Sequence, residues 1–284
     1  MTATAASAIA QRRSLSRRVV LDRVMLYAAA GLLALWTLAP IYLVALSAFS
    51  QRDAIYQYPK AFLPVNFSTD TMSFFVNSTG VLPSVRNSLI VALGTIILGV
   101  LIGAPAGYAL ARFRFIGRDA FQLGVLVSKM FPIAILSIPL AVTFIDLGLY
   151  DTLVAVILVH TALVLPFIVI VTSGVFLGVS RELEEAAMTL GTSRFGAFAR
   201  VALPLALPGL AAAAIFAFVT SWNEVFAATI LTVRNTTLPA QVLASLNISP
   251  LYFRFAGGFF LIIPSLFFIF FMRRYLFNLW GPGR

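Results

Sequence analysis

Residues 181–204 read RELEEAAMTLGTSRFGAFARVALP. This polar stretch sits in a chain that is 61% hydrophobic and only 11% charged. Three glutamates and three arginines within it are incompatible with a membrane span. Arg181 to Leu190 has helical spacing: Leu183, Ala187 and Leu190 share one face, and Glu182 and Glu185 lie toward another. Gly191 is placed to end that helix, because glycine accepts the left-handed backbone at little cost. Thr192 or Ser193 can cap the next helix. There Phe195, Phe198 and Val201 form a second apolar stripe, and Pro204 is expected to end the unit. The spacing predicts a helix–turn–helix lying across the ends of membrane spans.

Outward from this stretch the chain is oily. A mean hydropathy of +0.99 over 284 residues indicates a multi-span membrane protein rather than an anchored soluble domain. Spans are expected at roughly 24–49, 86–111, 120–147, 152–177, 205–231 and 254–279. The first exceeds the apolar core of a cleaved signal peptide. The second carries Gly94, Gly99, Gly103 and Gly107, small residues that let helices approach closely in lipid. The third holds Pro132 and Pro139, kinks that need neighbours or water to satisfy freed backbone groups. Residues 1–23 and 276–284 are read as terminal segments, and 50–84 as an extramembrane loop.

The net charge of +10 could suggest nucleic acid, but its placement points elsewhere. Fourteen basic residues fall on the side of the termini and the 181–204 stretch, and five on the other. The positive-inside rule therefore predicts cytoplasmic termini and a cytoplasmic 181–204 stretch, with no nucleic-acid partner. There is no cysteine, one histidine, ten carboxylates and no Gly-x4-Gly-Lys-Ser/Thr phosphate loop. Disulfides and thiolate metal sites are thereby excluded, and no cofactor is expected in this chain.

A surface helix could simply rest on lipid, but lysine and arginine would then dominate its polar face. Here Glu182, Glu184 and Glu185 do. Carboxylates repel anionic lipid and pair with arginines of a protein partner, while Ala186 and Ala187 permit close approach. Docking to protein is the better reading of the spacing.

Glu185-Ala186-Ala187, three residues, Gly191, nine residues, and Val201-Ala202-Leu203-Pro204 resemble the EAA loop of ABC importer permeases, in which the Val position is Ile. Similarity to the carbohydrate-uptake branch extends over about 84–275. It includes Met130-Phe131-Pro132, Ile138-Pro139-Leu140, Leu165-Pro166-Phe167 and Trp222-Asn223-Glu224, and is strongest toward the shorter permease of maltose-type importers. The ending Phe277 to Arg284 departs from the branch, as does His160 where Tyr is expected. The resemblance implies an all-α fold of six transmembrane helices, the type I importer permease fold. It implies that Glu185, Ala186, Ala187, Gly191, Leu203 and Pro204 couple the spans to cytosolic ATPase subunits, which would bind the ATP and Mg. The further partners implied are a second homologous permease, a second ATPase subunit and an extracytoplasmic substrate-binding protein. The setting would be the bacterial inner membrane, and the cargo a sugar, glycoside or polyol.

Within the spans, Lys129, His160, Trp222, Asn223 and Glu224 are candidates for a substrate pathway, because polar groups are costly in lipid. Each has a plainer reading. Lys129 could form an ion pair or reach an interface, His160 could be a satisfied packing residue, and Trp222 an interfacial anchor. Two other classes compete with an importer permease. A secondary carrier would usually show inverted repeats, and none is visible. A membrane enzyme would need clustered carboxylates or histidines, and Asp146, Asp151 and Glu224 are scattered.

Overall fold

The computed structural model describes residues 17–59, 61–63 and 66–277, with side chains from residue 20 to residue 271. The segment up to residue 16 and the tail from 278 lie outside the described residues. Apart from one isolated bridge between Ser50 and Phe67, all regular structure described is helical.

The first span, α1 (Arg17–Ala48), begins earlier than expected; the arginine-rich lead-in from residue 17 is continuous with it. Two short helices, α2 (Arg52–Tyr56) and α3 (Asp70–Asn77), follow, and α4 (Val81–Arg112) is the second span. The third expected span is broken. Helix α5 (Arg118–Val127) passes through a 3-10 turn (Ser128–Met130) to α6 (Ile133–Asp146), with a 92° bend between the halves. Pro132 causes the break, since proline disfavours helical backbone in the residue before it. Phe131 is accordingly extended, with ψ 115°.

Helix α7 (Leu153–Gly178) forms the fourth span. Next come α8 (Arg181–Thr189) and α9 (Arg194–Ala197), then a π-helical stretch (Phe198–Ala202) that runs into α10 (Leu203–Trp222). The fifth span therefore ends at Trp222 and not near 231. It is followed by α11 (Phe226–Leu231) and α12 (Leu238–Ser245), and α13 (Leu251–Phe277) is the last span. Among the described residues five helices are long and apolar enough to cross a membrane, and the bent α5–α6 pair makes a sixth.

Helices α4, α7 and α10 form the centre. The glycines of α4 are spent on close approach to α7: a Cβ added at Gly107 would fall 2.0 Å from Thr172 Oγ1 and 2.8 Å from the Ser173 nitrogen. The Thr172 hydroxyl in turn reaches the Gly103 carbonyl across the contact, at 3.1 Å. In lipid, where apolar burial drives little association, such contact is what holds helices together. Phe75, Phe218, Trp222 and Phe253 pack together around α3, α10 and α13.

Candidate coupling site

Helices α8 and α9 form the expected helix–turn–helix. The first ends in a Schellman arrangement: Gly191 has φ +91°, its N–H donates to Met188 O (3.0 Å), and Thr192 N–H donates to Ala187 O (3.1 Å). Ser193 caps the second, its hydroxyl accepting from Gly196 N–H at 3.1 Å. Pro204 does not end the unit. Its missing N–H falls just after the π stretch, where Leu203 N–H donates back to Phe198 O, and the helix continues unbroken.

The carboxylates of α8 do not all lie on one polar, outward face. Leu183 and Leu190 are exposed, at 49% and 88%, as is Phe195 at 77%. Glu184 is turned inward instead and is 5% exposed, with Ala187 and Met188 half-buried beside it. Its carboxylate accepts from Tyr108 Oη (2.5 Å) and Arg112 Nε (2.7 Å), and lies 2.6 Å from Arg112 Nη2. Arg112 also donates to Val179 O at 2.8 Å. Arg181 donates to the Ala111 and Arg112 carbonyls at 3.1 and 3.2 Å, satisfying the carbonyls that the end of α4 leaves open. A joint of one carboxylate, two guanidiniums and a phenol thus bolts α8 to the end of α4.

Sequence reasoning counted Glu184 with the partner-facing carboxylates, whereas it pairs within the chain, and it passed over its partners Tyr108 and Arg112, and Arg181 at the same joint. A signal was present: Tyr108 and Arg112 stand four residues apart, on one helix face. Glu185 and Ala186 are exposed, Leu203 is half-buried and Pro204 exposed. A cavity of about 560 Å³ opens under the unit, lined by Tyr108, Arg112, Glu184, Glu185, Met188 and Phe195 among others.

The pathway candidates scatter. Trp222 is 1% exposed, stacked on Phe218, and its indole N–H donates to Leu261 O at 2.9 Å. It is a core residue with no free face for a sugar ring. His160 is buried too, Nδ1 on Ser221 Oγ (2.8 Å) and Nε2 on Glu224 Oε2 (3.1 Å). Ser221 reaches Thr95 at 3.3 Å, so the chain of contacts ties α4, α7 and α10. The Glu224 carboxylate also accepts from Ala227 and Ala228 N–H at the start of α11. The plainer reading of His160 is the one its surroundings support. Asn223 is exposed, and Lys129 lies apart from all four, at the α5–α6 bend.

A helical fold of up to six apolar spans, with a helix pair exposed at one end, has the architecture of a multi-pass membrane transport component. Residues 96–279 match the family described as binding-protein-dependent transport system inner membrane component, and the chain belongs to that family. It is 31% identical over 208 residues to the diacetylchitobiose uptake system permease protein DasC of Streptomyces coelicolor, covering 73% of this chain and 75% of that one. It is also 31% identical to the inner membrane ABC transporter permease protein YcjP of Escherichia coli, covering 77% and 80%. Its fold is shared with a chain of a bacterial ABC transporter involved in import of the acidic polysaccharide alginate, with TM-score 0.75 and 23% identity over 92% of this chain and 98% of that one. The chain is a multi-pass translocation permease subunit that works with ABC transporter partners; it is not an enzyme.

Proposed function

We propose that this chain is one of two homologous permease subunits that together form the path for a sugar, glycoside or polyol. Two cytosolic ATPase subunits would bind ATP and Mg, and an extracytoplasmic binding protein would deliver the substrate. In this reading both termini and the α8–α9 unit are cytoplasmic. The observation that carries it is the exposed trio Leu183, Leu190 and Phe195 beside the exposed carboxylate of Glu185, on a helix pair whose turn is hydrogen-bonded and whose second helix is capped by Ser193. An apolar patch rimmed by charge on a rigid element suits docking into a groove. Because α8 is bolted to α4 through Arg112, motion of an ATPase groove would reach the spans instead of being absorbed. The carbohydrate reading draws on relatives such as the diacetylchitobiose permease.

Glu185→Lys tests it. The exposed carboxylate touches nothing that folding needs, so the variant should reach the membrane at normal abundance. Uptake, and the ATPase activity stimulated by loaded binding protein, should both be lost, since a reversed charge at an interface costs several kcal/mol. Normal transport by this variant would remove the docking surface from the argument. Cysteines introduced at Ser193 and Thr236 test the orientation: only the latter should react with an impermeant reagent added outside.

A further inference from the structure

The α5–α6 break carries a charge that is in neither ion pair among the described residues. Lys129 lies in the 3-10 turn between the half-helices and lines a cavity of about 440 Å³ with Ser128 and Phe131 on its own side and Ala162, Leu163 and Pro166 of α7 opposite. Its depth follows from register. Pro166 is midway along the 26 residues of α7, so about 20 Å of helix separates it from either end. The ammonium lies 5.8 Å from the ring centre of Phe216, and that ring stacks at 3.6 Å on Phe167, the residue after Pro166. Lys129 is therefore near half-depth, too far from either end for its stem to carry the charge to an interface.

No counter-ion is at hand. Among the described residues the ion pairs are Arg112–Glu184 and His160–Glu224. The acids nearest along the broken pair, Asp119 and Asp146, stand at its two far ends. The cavity also offers acceptors. Pro166 has no N–H, so the Ala162 carbonyl loses its helical donor, and the Ser128 hydroxyl, which donates to Val125 O at 2.7 Å, keeps its lone pairs. Irregular backbone at membrane depth is stable where it lines a wet cavity.

We propose that this cavity is a subsite on the translocation path for a sugar bearing an anionic group, a carboxylate or a phosphate ester. Lys129 takes the anion, the Ala162 carbonyl and Ser128 hydroxyl receive sugar O–H donors, and the apolar walls and Phe131 pack the ring face. This rests on the permease reading above. The cavity volume suits a sugar unit, and a carboxylate of the second permease paired with Lys129 is the competing outcome that the test below separates.

The test uses the complete assembly in proteoliposomes and two probes of the same linkage, a uronate-containing disaccharide and its neutral counterpart. In the wild type the uronate should be imported. Lys129→Gln should lower its uptake about tenfold or more, and Lys129→Arg should retain most of it. In detergent, saturation-transfer NMR should show glucuronate bound in preference to glucose, a preference that Lys129→Gln abolishes. Unchanged uronate uptake in Lys129→Gln, or no import of the uronate by the wild type, overturns the proposal. So does a Lys129→Gln chain that no longer assembles with the second permease. If the neutral sugar is still imported with ATP in any of these cases, the permease reading stands; if no sugar drives ATP hydrolysis, that reading falls as well.

Discussion

Two ionic contacts are buried among the described residues, and they rest on different supports. Glu184 meets Arg112 and Tyr108 where a surface helix joins the end of a span, and Arg112 is charged in every state of the protein. His160 meets Glu224 where three spans and a short helix converge; the imidazole's other partner is the Ser221 hydroxyl, and the carboxylate's others are the Ala227 and Ala228 N–H groups. The first pair spends a full positive charge on one carboxylate. The second spreads a carboxylate over a ring nitrogen and two amides, so that losing any one partner leaves others. The joint that would carry force rests on one cation. The joint that holds the bundle is built with spares.

The largest effect should therefore come from Arg112→Ala. It would leave Glu184 buried without its cation and cost about 3–5 kcal/mol. A denaturant titration of the purified chain would read this. Pairing Arg112→Met with Glu184→Gln should recover most of the loss, because no uncompensated charge remains. The double variant should still couple poorly, with binding-protein-stimulated ATPase activity falling toward the basal rate. If it coupled normally, rigid attachment of α8 to α4 would be irrelevant to function.

Next in size is His160→Ala. Glu224 would keep Ala227 and Ala228 N–H, so the cost should be that of orphaned polar groups, about 1–3 kcal/mol. A loss as large as that of Arg112→Ala would mean that the amides do not share the charge, and the contrast between the two joints would fail.

The helix–turn–helix was legible because its signals are local. Gly191 is needed for one backbone angle, and Ser193 caps a helix that starts beside it. Nothing lies within 4 Å of a Cβ added at Gly191, so only φ enforces glycine there. The span count was legible from hydropathy alone. The break before Pro132 and the end of the fifth span at Trp222 were not, because apolar residues continue across both. What stops the helix is a proline in one case and, in the other, a glutamate side chain capping the next helix. The place of Glu184 was misread for a different reason. A carboxylate is expected outside only when no cation waits inside, and residues 182–190 alone do not show one. Glu184 is inside because Arg112 and Tyr108, distant in sequence, are there to meet it.

The smallest effect belongs to a third carboxylate, Asp151, in the turn before α7. Its Oδ1 accepts from the N–H groups of Val233, Arg234 and Asn235 at 2.8, 3.0 and 3.1 Å, and Asn235 Nδ2 donates back to its carbonyl at 2.7 Å. Partial burial pushes the carboxyl up, but the three backbone donors outweigh it and hold it below the usual aspartate range. The sign then follows. A lowered carboxyl stabilises the fold fully above its unfolded value, near 3.9, and the contribution is lost as pH falls through the lower folded value. Protection factors of the Val233 to Asn235 amides, measured against their intrinsic exchange rates at each pH, should hold from neutrality down to about pH 4 and fall only below it. Asp151→Asn keeps one weaker acceptor and should speed these amides at every pH, leaving the rest of the chain unchanged. Because the carboxylate is partly exposed and its one charged neighbour, Arg234, is exposed too, global stability should shift by less than either buried pair gives. Slow exchange persisting in Asp151→Asn would show that the loop is held by its other contacts, such as Asn87 Nδ2 on Thr236 O at 3.1 Å, and not by this carboxylate.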